Sequence, residues 1–400
     1  MDERWGKGSA EMILYITVAA VTALMAGMVN CRPAVQPYRT TRQQMCNRVC
    51  LFAIFLILFA LSACRLNVGN DYAKYVEFMH LVNCDAYVPT EIGFNLLVKL
   101  IYGLSGYENY LLVFAVYAFT TVGIFLLAMY EQSVAFPLTF FLFMTLGYYF
   151  QTFSTVRYYL ALALALYSMK FVLRRQWGRF IVLILFGAAF HKSLLVVIPL
   201  YFLAVLPWKK WQLAVGALFC TTFLFCQEFY LKLVILLYPT YEDTEYLEGG
   251  TSYINILRCI AVLFLAGIVY FEKRYHKGSE RKDLEGAHLT ETDAEGTAFQ
   301  EHFYFYLNLG ALVLYVFCSF LPIISRIGYY LTVSHIFYLP LLLKQIEHVK
   351  WRRTLRAGVL LAAVLYFMIY MSRAGNDGTL ILPYKTFFFH DMVNILSDVN

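Results

Sequence analysis

The sequence predicts an all-α integral membrane protein, a polytopic helical bundle with about ten to twelve transmembrane helices. Three observations predict it. Of the 400 residues 60% are hydrophobic and only 14% charged, which leaves too little polar material to cover a soluble domain. Apolar runs of spanning character recur along the whole chain. The basic residues sit in short blocks between those runs rather than on one folded face, so the net charge of +6 speaks for membrane orientation and against nucleic acid.

Apolar runs extend from Met12 to Val29, Val49 to Cys64, Leu111 to Met129, Phe136 to Phe150, Tyr158 to Leu173, Phe180 to Phe190, Leu194 to Leu206, Leu213 to Cys226, Ile254 to Phe271, Phe303 to Leu321, Ile327 to Leu343 and Ala357 to Met371. The first follows a short polar start without a small-x-small cleavage pattern and reads as a retained helix. Basic blocks gather at Arg32 to Arg48, Arg174 to Arg179, Lys209 and Lys210, Lys273 to Lys282 and Lys344 to Arg356. If all are cytoplasmic, roughly 20 of the 32 Lys and Arg lie inside, as the positive-inside rule expects, and both termini fall outside. This arrangement requires Phe180 to Leu206 to be a hairpin turning at His191, Lys192 and Ser193, with arms so short that the turn sits below the outer surface.

The chain 1–400 is expected to form one polytopic membrane domain with two non-spanning regions. Residues 65–108 read as an external or interfacial helical segment: Asp71, Tyr75 and Phe78 share one helical face, and the run from Ile92 to Leu104, broken by Gly93 and Gly103, is a partly inserted helix. Residues 272–300 are hydrophilic and of mixed charge, and are expected to be a mobile cytoplasmic loop. The 9 cysteines show no metal-ligand spacing and mostly lie in apolar runs as packing residues, while Cys64 and Cys84 bracket the external segment and could form a disulfide.

On this topology Arg65, Asp71, Glu91, Arg157, His191 and Arg326 gather at the outer end of the bundle. Charges at membrane depth are costly, so they face a cavity, pair with one another or do work. Each has a plain reading: the arginines as snorkelling anchors, the carboxylates as partners of Arg65 and Lys74, His191 as a helix cross-link. Each has a chemical one as well. Guanidinium forks suit a pyrophosphate, so Arg157, Arg326 and Arg65 are candidates to bind one. His191, Asp71 and Glu91 are candidates for the catalytic base. With 32 Tyr and 35 Phe, a minority of aromatic rings near the outer surface could stack on sugars.

The ordered set Arg65-x-Asn67-Val68-Gly69-Asn70-Asp71-Tyr72, Glu91-Ile92-Gly93-Phe94, Arg157 with its Ala-rich helix, Phe190-His191-Lys192-Ser193, Arg326 with Tyr329 and Tyr330, and Leu382-Pro383-Tyr384 resembles the EpsG family of bacterial exopolysaccharide and capsule loci. Asn70 departs from the small or hydroxyl residue commoner in that family. The resemblance implies a Wzy-like polymerase of the glycosyltransferase C superfamily, in the bacterial cytoplasmic membrane with its active site facing outside. Its substrates would be glycans on undecaprenyl pyrophosphate, joined without a metal or other cofactor. Membrane lipids, a flippase and a chain-length regulator would be its partners. A flippase for lipid-linked sugars should show related halves, and no repeat is visible. A membrane acyltransferase acting on polysaccharide should carry its polar residues on the inner half.

Overall fold

The computed structural model describes residues 2–30, 41–237, 252–280, 291–321, 324–376 and 378–390, and there the protein is an all-α, multi-span membrane-spanning helical bundle. In chain order the helices are α1 (Asp2–Gly27), α2 (Arg42–Ala63), α3 (Tyr72–Asn83), α4 (Ile92–Ser105), α5 (Tyr110–Gln132), α6 (Phe136–Thr145), α7 (Tyr148–Gln151), α8 (Val156–Leu173) and α9 (Trp177–Ala188). After a 3-10 turn at Lys192–Val196 come α10 (Val197–Val205), α11 (Lys210–Phe225), α12 (Gln227–Leu237), α13 (Tyr253–Glu280), α14 (Glu291–Phe317), α15 (Ile324–Thr332), α16 (His335–Gln345) and α17 (Val349–Ser372). Among the described residues α2, α5, α8, the Tyr253–Arg274 part of α13 and α17 are long and apolar enough to cross a bilayer. Shorter apolar helices include α4, α6 and α9.

Each apolar run of the sequence lies on helix, but two are broken. The run from Phe136 to Phe150 divides at Gly147, whose left-handed φ of +79° ends α6 and starts α7. The run from Ile327 to Leu343 divides at Val333 and Ser334. Helix α9 stops at Ala188 and a 3-10 turn starts at Lys192, so the helix is interrupted where the hairpin reading puts its turn. Within 272–300 the described residues are helical: α13 continues to Glu280 and α14 starts at Glu291, with Lys273 Nζ 2.6 Å from Glu301 Oε2. The middle of that stretch, 281–290, lies outside the described residues, as do Arg32 and Arg39 of the first basic block. Cys64 and Cys84 are both free thiols, half-buried and exposed respectively.

The chain separates into two compact units: 1–170 with 178–195 and 349–400, and 171–177 with 196–348. In the first unit α2 packs on α5, α1 on α6 and α3 on α4. Helix α8 is buried almost all round, its Ala161, Ala163 and Ala165 fully covered. Tyr15, Tyr149, Phe150 and Phe153 form an aromatic core whose hydroxyls find carbonyls, Tyr149 at Leu58 (2.7 Å) and Tyr15 at Ile381 (2.6 Å). The segment after α17 returns across the end of α2: Leu66 N donates to Lys385 O at 2.9 Å, Gly69 N to Leu380 O at 2.8 Å, and Tyr384 Oη to Leu61 O at 2.9 Å.

In the second unit α14 packs on α10, α13, α15 and α16. A buried polar chain ties three of its helices. His335 Nε2 lies 2.7 Å from Asn308 Oδ1, and Asn308 Nδ2 donates to Cys259 O at 3.1 Å. In apolar surroundings such interhelical bonds fix which faces meet.

Candidate active site

The first unit brings the ends of α2, α4, α8 and α9 together, and two glycines permit it. Gly93 N donates to Ala189 O at 2.7 Å, and a Cβ at Gly93 would stand 2.7 Å from that same oxygen. The start of α4 therefore rests directly on the turn that carries His191. Gly69, at φ +105°, lies so close to Phe153 that a Cβ would fall 2.2 Å from its carbonyl oxygen. That contact seats the Arg65–Asp71 segment against the approach to Arg157.

Glu91 precedes the first residue of α4, Arg157 is the second residue of α8, and His191 follows α9. These three side chains meet. Glu91 Oε2 pairs with Arg157 Nη1, while Oε1 lies 3.5 Å from His191 Nδ1 and accepts from Lys192 N at 3.1 Å. All three side chains are nearly covered, at 14% exposure for Glu91, 11% for Arg157 and 14% for His191. Burial alone would raise the Glu91 carboxyl, but His191, the Arg157 charge and the Lys192 amide outweigh it and hold the group at about 2. Glu91 is thus a fixed anion, poorly suited to accept a proton near neutrality.

Aromatic rings wall the cluster. The Arg157 guanidinium lies 5.4 Å from the Tyr75 ring centroid and 5.2 Å from that of Phe94, and His191 meets Tyr158 edge-on at 5.7 Å. Phe94 packs on Tyr117 at 6.2 Å. Tyr117 also lines a small cavity with Arg65, Ser62, Thr121 and Thr152, so it stands between the two arginines.

Arg65 is 1% exposed and sits between Phe114 (5.3 Å) and Phe153 (5.2 Å). Its Nη1 donates to Ser62 O and, at 2.9 Å, to Ser62 Oγ, so it caps the carbonyl end of α2. Its Nε and Nη2, the Nε of Arg157 and the Tyr117 hydroxyl are buried polar atoms without a hydrogen-bond partner among the described residues.

Of the residues expected from the sequence, Glu91, Arg157 and His191 come together and Arg65 lies on the other side of Tyr117. Asp71 immediately precedes α3, and its charge reaches Tyr75 one turn on. Arg326 is an exposed residue of α15 in the second unit. Sequence reasoning missed Tyr117, Phe94 and Ser62; Phe94 was visible only as the neighbour of Gly93. Among the described residues no group of three His, Cys, Asp or Glu could hold a metal ion.

Compared with protein families, residues 48–386 match one described as the EpsG family. The span covers every site residue above. No curated protein and no solved structure matches the chain.

Proposed function

This chain belongs to the EpsG family, and on that premise we propose that it is a Wzy-like polymerase. It joins oligosaccharide repeat units carried on undecaprenyl pyrophosphate into exopolysaccharide or capsule at the outer face of the cytoplasmic membrane. The observation that supports this reading most is the Glu91 carboxylate shared between Arg157 and His191, with unpaired guanidinium donors around Tyr117.

In the reaction a hydroxyl of the acceptor repeat attacks the anomeric carbon of the donor glycan. The new C–O bond forms as the bond to the pyrophosphate oxygen breaks, and undecaprenyl pyrophosphate departs with the electron pair. The hydroxyl proton passes to the His191 imidazole, and the imidazolium so formed is stabilised by ionised Glu91. Arg65 and Arg157 bind the pyrophosphate and neutralise the charge that grows on it. A leaving group already this good needs no metal once guanidinium groups meet that charge. Asp71, beside Tyr75, sets the field around Arg157. The same reading assigns the fold to the glycosyltransferase C class.

The glycan accumulated by a strain lacking the protein tests the reading. Single lipid-linked repeats on the outer leaflet are expected, whereas repeats held on the inner leaflet would make the protein a flippase. Purified protein should also convert lipid-linked repeats to polymer without another enzyme.

A further inference from the structure

At the opposite end of α3 and α4 from His191 lies an open cleft of about 390 Å³, lined by Asn83, Asp85, Lys99, Tyr102, Tyr107 and Glu108, with Gly103 and Gly106 in its wall. Both helices begin beside the reacting cluster and end here. From Glu91 to Gly103 the chain rises roughly 18 Å at 1.5 Å per residue, a span of several sugars.

The cleft is built in advance. Glu108 accepts from Asn83 Nδ2 at 2.9 Å and lies 2.9 Å from His80 Nδ1, so its carboxylate is fixed in place. Asp85 is paired with Lys99. Tyr107 is 63% exposed, yet its hydroxyl accepts from Asn109 Nδ2 at 3.0 Å, and Asn109 in turn caps α5 through Leu112 N. An exposed aromatic ring is therefore held at a set angle beside a carboxylate, an amide and an amine. Gly103 leaves room, since a Cβ there would meet nothing within 4 Å.

The charge balance selects the ligand. A lipid phosphate would face Asp85 and Glu108, and the cation lining the cleft, Lys99, is already engaged. A neutral, hydroxyl-rich molecule suits it better. Vicinal hydroxyls donate to carboxylates and amide oxygens, and the apolar face of a sugar stacks on a tyrosine ring. The cleft size is that of a small-molecule site. Ile92, Leu96, Leu100 and Leu104 form an exposed apolar stripe along α4, a face suited to lipid, and the cleft lies at the end of that helix.

We propose that this cleft binds the growing glycan several sugars away from its reacting end, an inference that rests on the polymerase reading. It keeps the product chain attached between additions, so it governs polymer length and not the chemical step.

The test uses the full-length protein in detergent and the exopolysaccharide of the host strain cut to oligosaccharides of one or more repeats. Saturation-transfer NMR should show these oligosaccharides binding the parent, and Tyr107→Ala or Gly103→Trp should weaken binding about tenfold, as loss of an aromatic anchor does. In cells both variants should consume lipid-linked repeats at the parent rate but lose the long-chain fraction of polymer. Unchanged oligosaccharide binding in both variants overturns the proposal. So does binding of phosphatidylglycerol vesicles, in place of oligosaccharide, that depends on Tyr107. A parent that binds oligosaccharides through Tyr107 but makes no polymer from lipid-linked repeats sinks the polymerase reading and leaves the glycan site standing.

Discussion

Oε1 of Glu91 stands 3.5 Å from Nδ1 of His191, while the other oxygen of the same carboxylate pairs with Arg157. One buried anion therefore serves a cation and an imidazole together. On the proposed reading the carboxylate stabilises the imidazolium formed when His191 takes a proton, the service a base needs from a neighbouring anion. Glu91→Gln keeps the shape and removes the charge. It should lower polymer formation by about 10²-fold or more, in the range of a lost acid–base interaction. The measurement is polymer per unit of protein in isolated membranes, and a parent-like rate would transfer that role to another group.

The same carboxylate gives a pH signature. Its folded value of about 2 lies below the ordinary 4.5, so its contribution to stability is complete above about 4.5 and is lost as pH falls towards 2. Thermal unfolding of the detergent-solubilised protein should decline through that window, and Glu91→Gln should flatten the decline. Polymerisation followed over the same pH range tests whether Glu91 is the group that must stay ionised for activity. An acid limb of activity that coincides with the stability loss would place the essential titration on a carboxylate.

Much of this was legible before any coordinates. The all-α, multi-span character followed from hydropathy, although five described helices rather than ten to twelve are long and apolar enough to cross, and the cost of burying charge pointed to the charged residues at helix ends. Two helix breaks were not legible: Gly147 lies inside a continuous apolar run, and only its left-handed backbone shows that the helix stops there. Pairing was hidden for a different reason. Glu91, Arg157 and His191 belong to separate helices, and nothing local says which of several outer charges will touch. Gly93 was read as a helix-breaker, whereas its work is to let the α4 backbone lie on Ala189. The cleft around Tyr107 was likewise invisible, since its lining comes from the ends of two helices and the loop after them, and nothing local in the sequence says that these meet.

That role of Gly93 can be tested. An added methyl group at 2.7 Å from Ala189 O meets backbone, which cannot rotate away. Gly93→Ala should cost roughly 1–3 kcal/mol of stability, the usual cost of overpacking. Because the displaced element carries His191, polymer formation should fall further than stability does, up to about 10²-fold for a shift of an ångström. Thermal unfolding and polymer assay on one preparation separate the two effects; equal losses in both would mean that the glycine is only structural.

Topology can be tested from a native thiol together with one introduced cysteine. Cys84, just after α3, is an exposed free thiol on the segment expected outside. With the other exposed thiol among the described residues removed by Cys226→Ser, a membrane-impermeant maleimide should label Cys84 in intact cells and should no longer label the protein once Cys84→Ser is added. A cysteine at Trp351, exposed in the basic start of α17, should stay unlabelled until the membrane is opened. Labelling of position 351 in intact cells would reverse the orientation.

The arginines remain to be separated. Arg157 has one nitrogen on Glu91, whereas Arg65 has no carboxylate partner among the described residues and keeps two buried donors unsatisfied. Arg326 is exposed on α15. If Arg65 and Arg157 grip the pyrophosphate, they bind it most tightly as it departs, so their loss should lower turnover and not merely affinity. Lysine distinguishes grip from anchorage. It keeps the charge and can snorkel nearly as well on its flexible stem, but it lacks the planar fork that binds two phosphate oxygens at once. Arg157→Lys should therefore lose most polymer synthesis at matched membrane levels, and the same assay on Arg326→Lys shows whether that exposed arginine does more than anchor its helix. Arg65→Lys should lose most polymer synthesis too, with a fall in thermal stability besides, because the stack between Phe114 and Phe153 and the bonds to Ser62 depend on the guanidinium plane. If Arg157→Lys and Arg326→Lys both polymerise like the parent while Arg65→Lys does not, those two arginines are lipid or helix anchors and the pyrophosphate is held at Arg65.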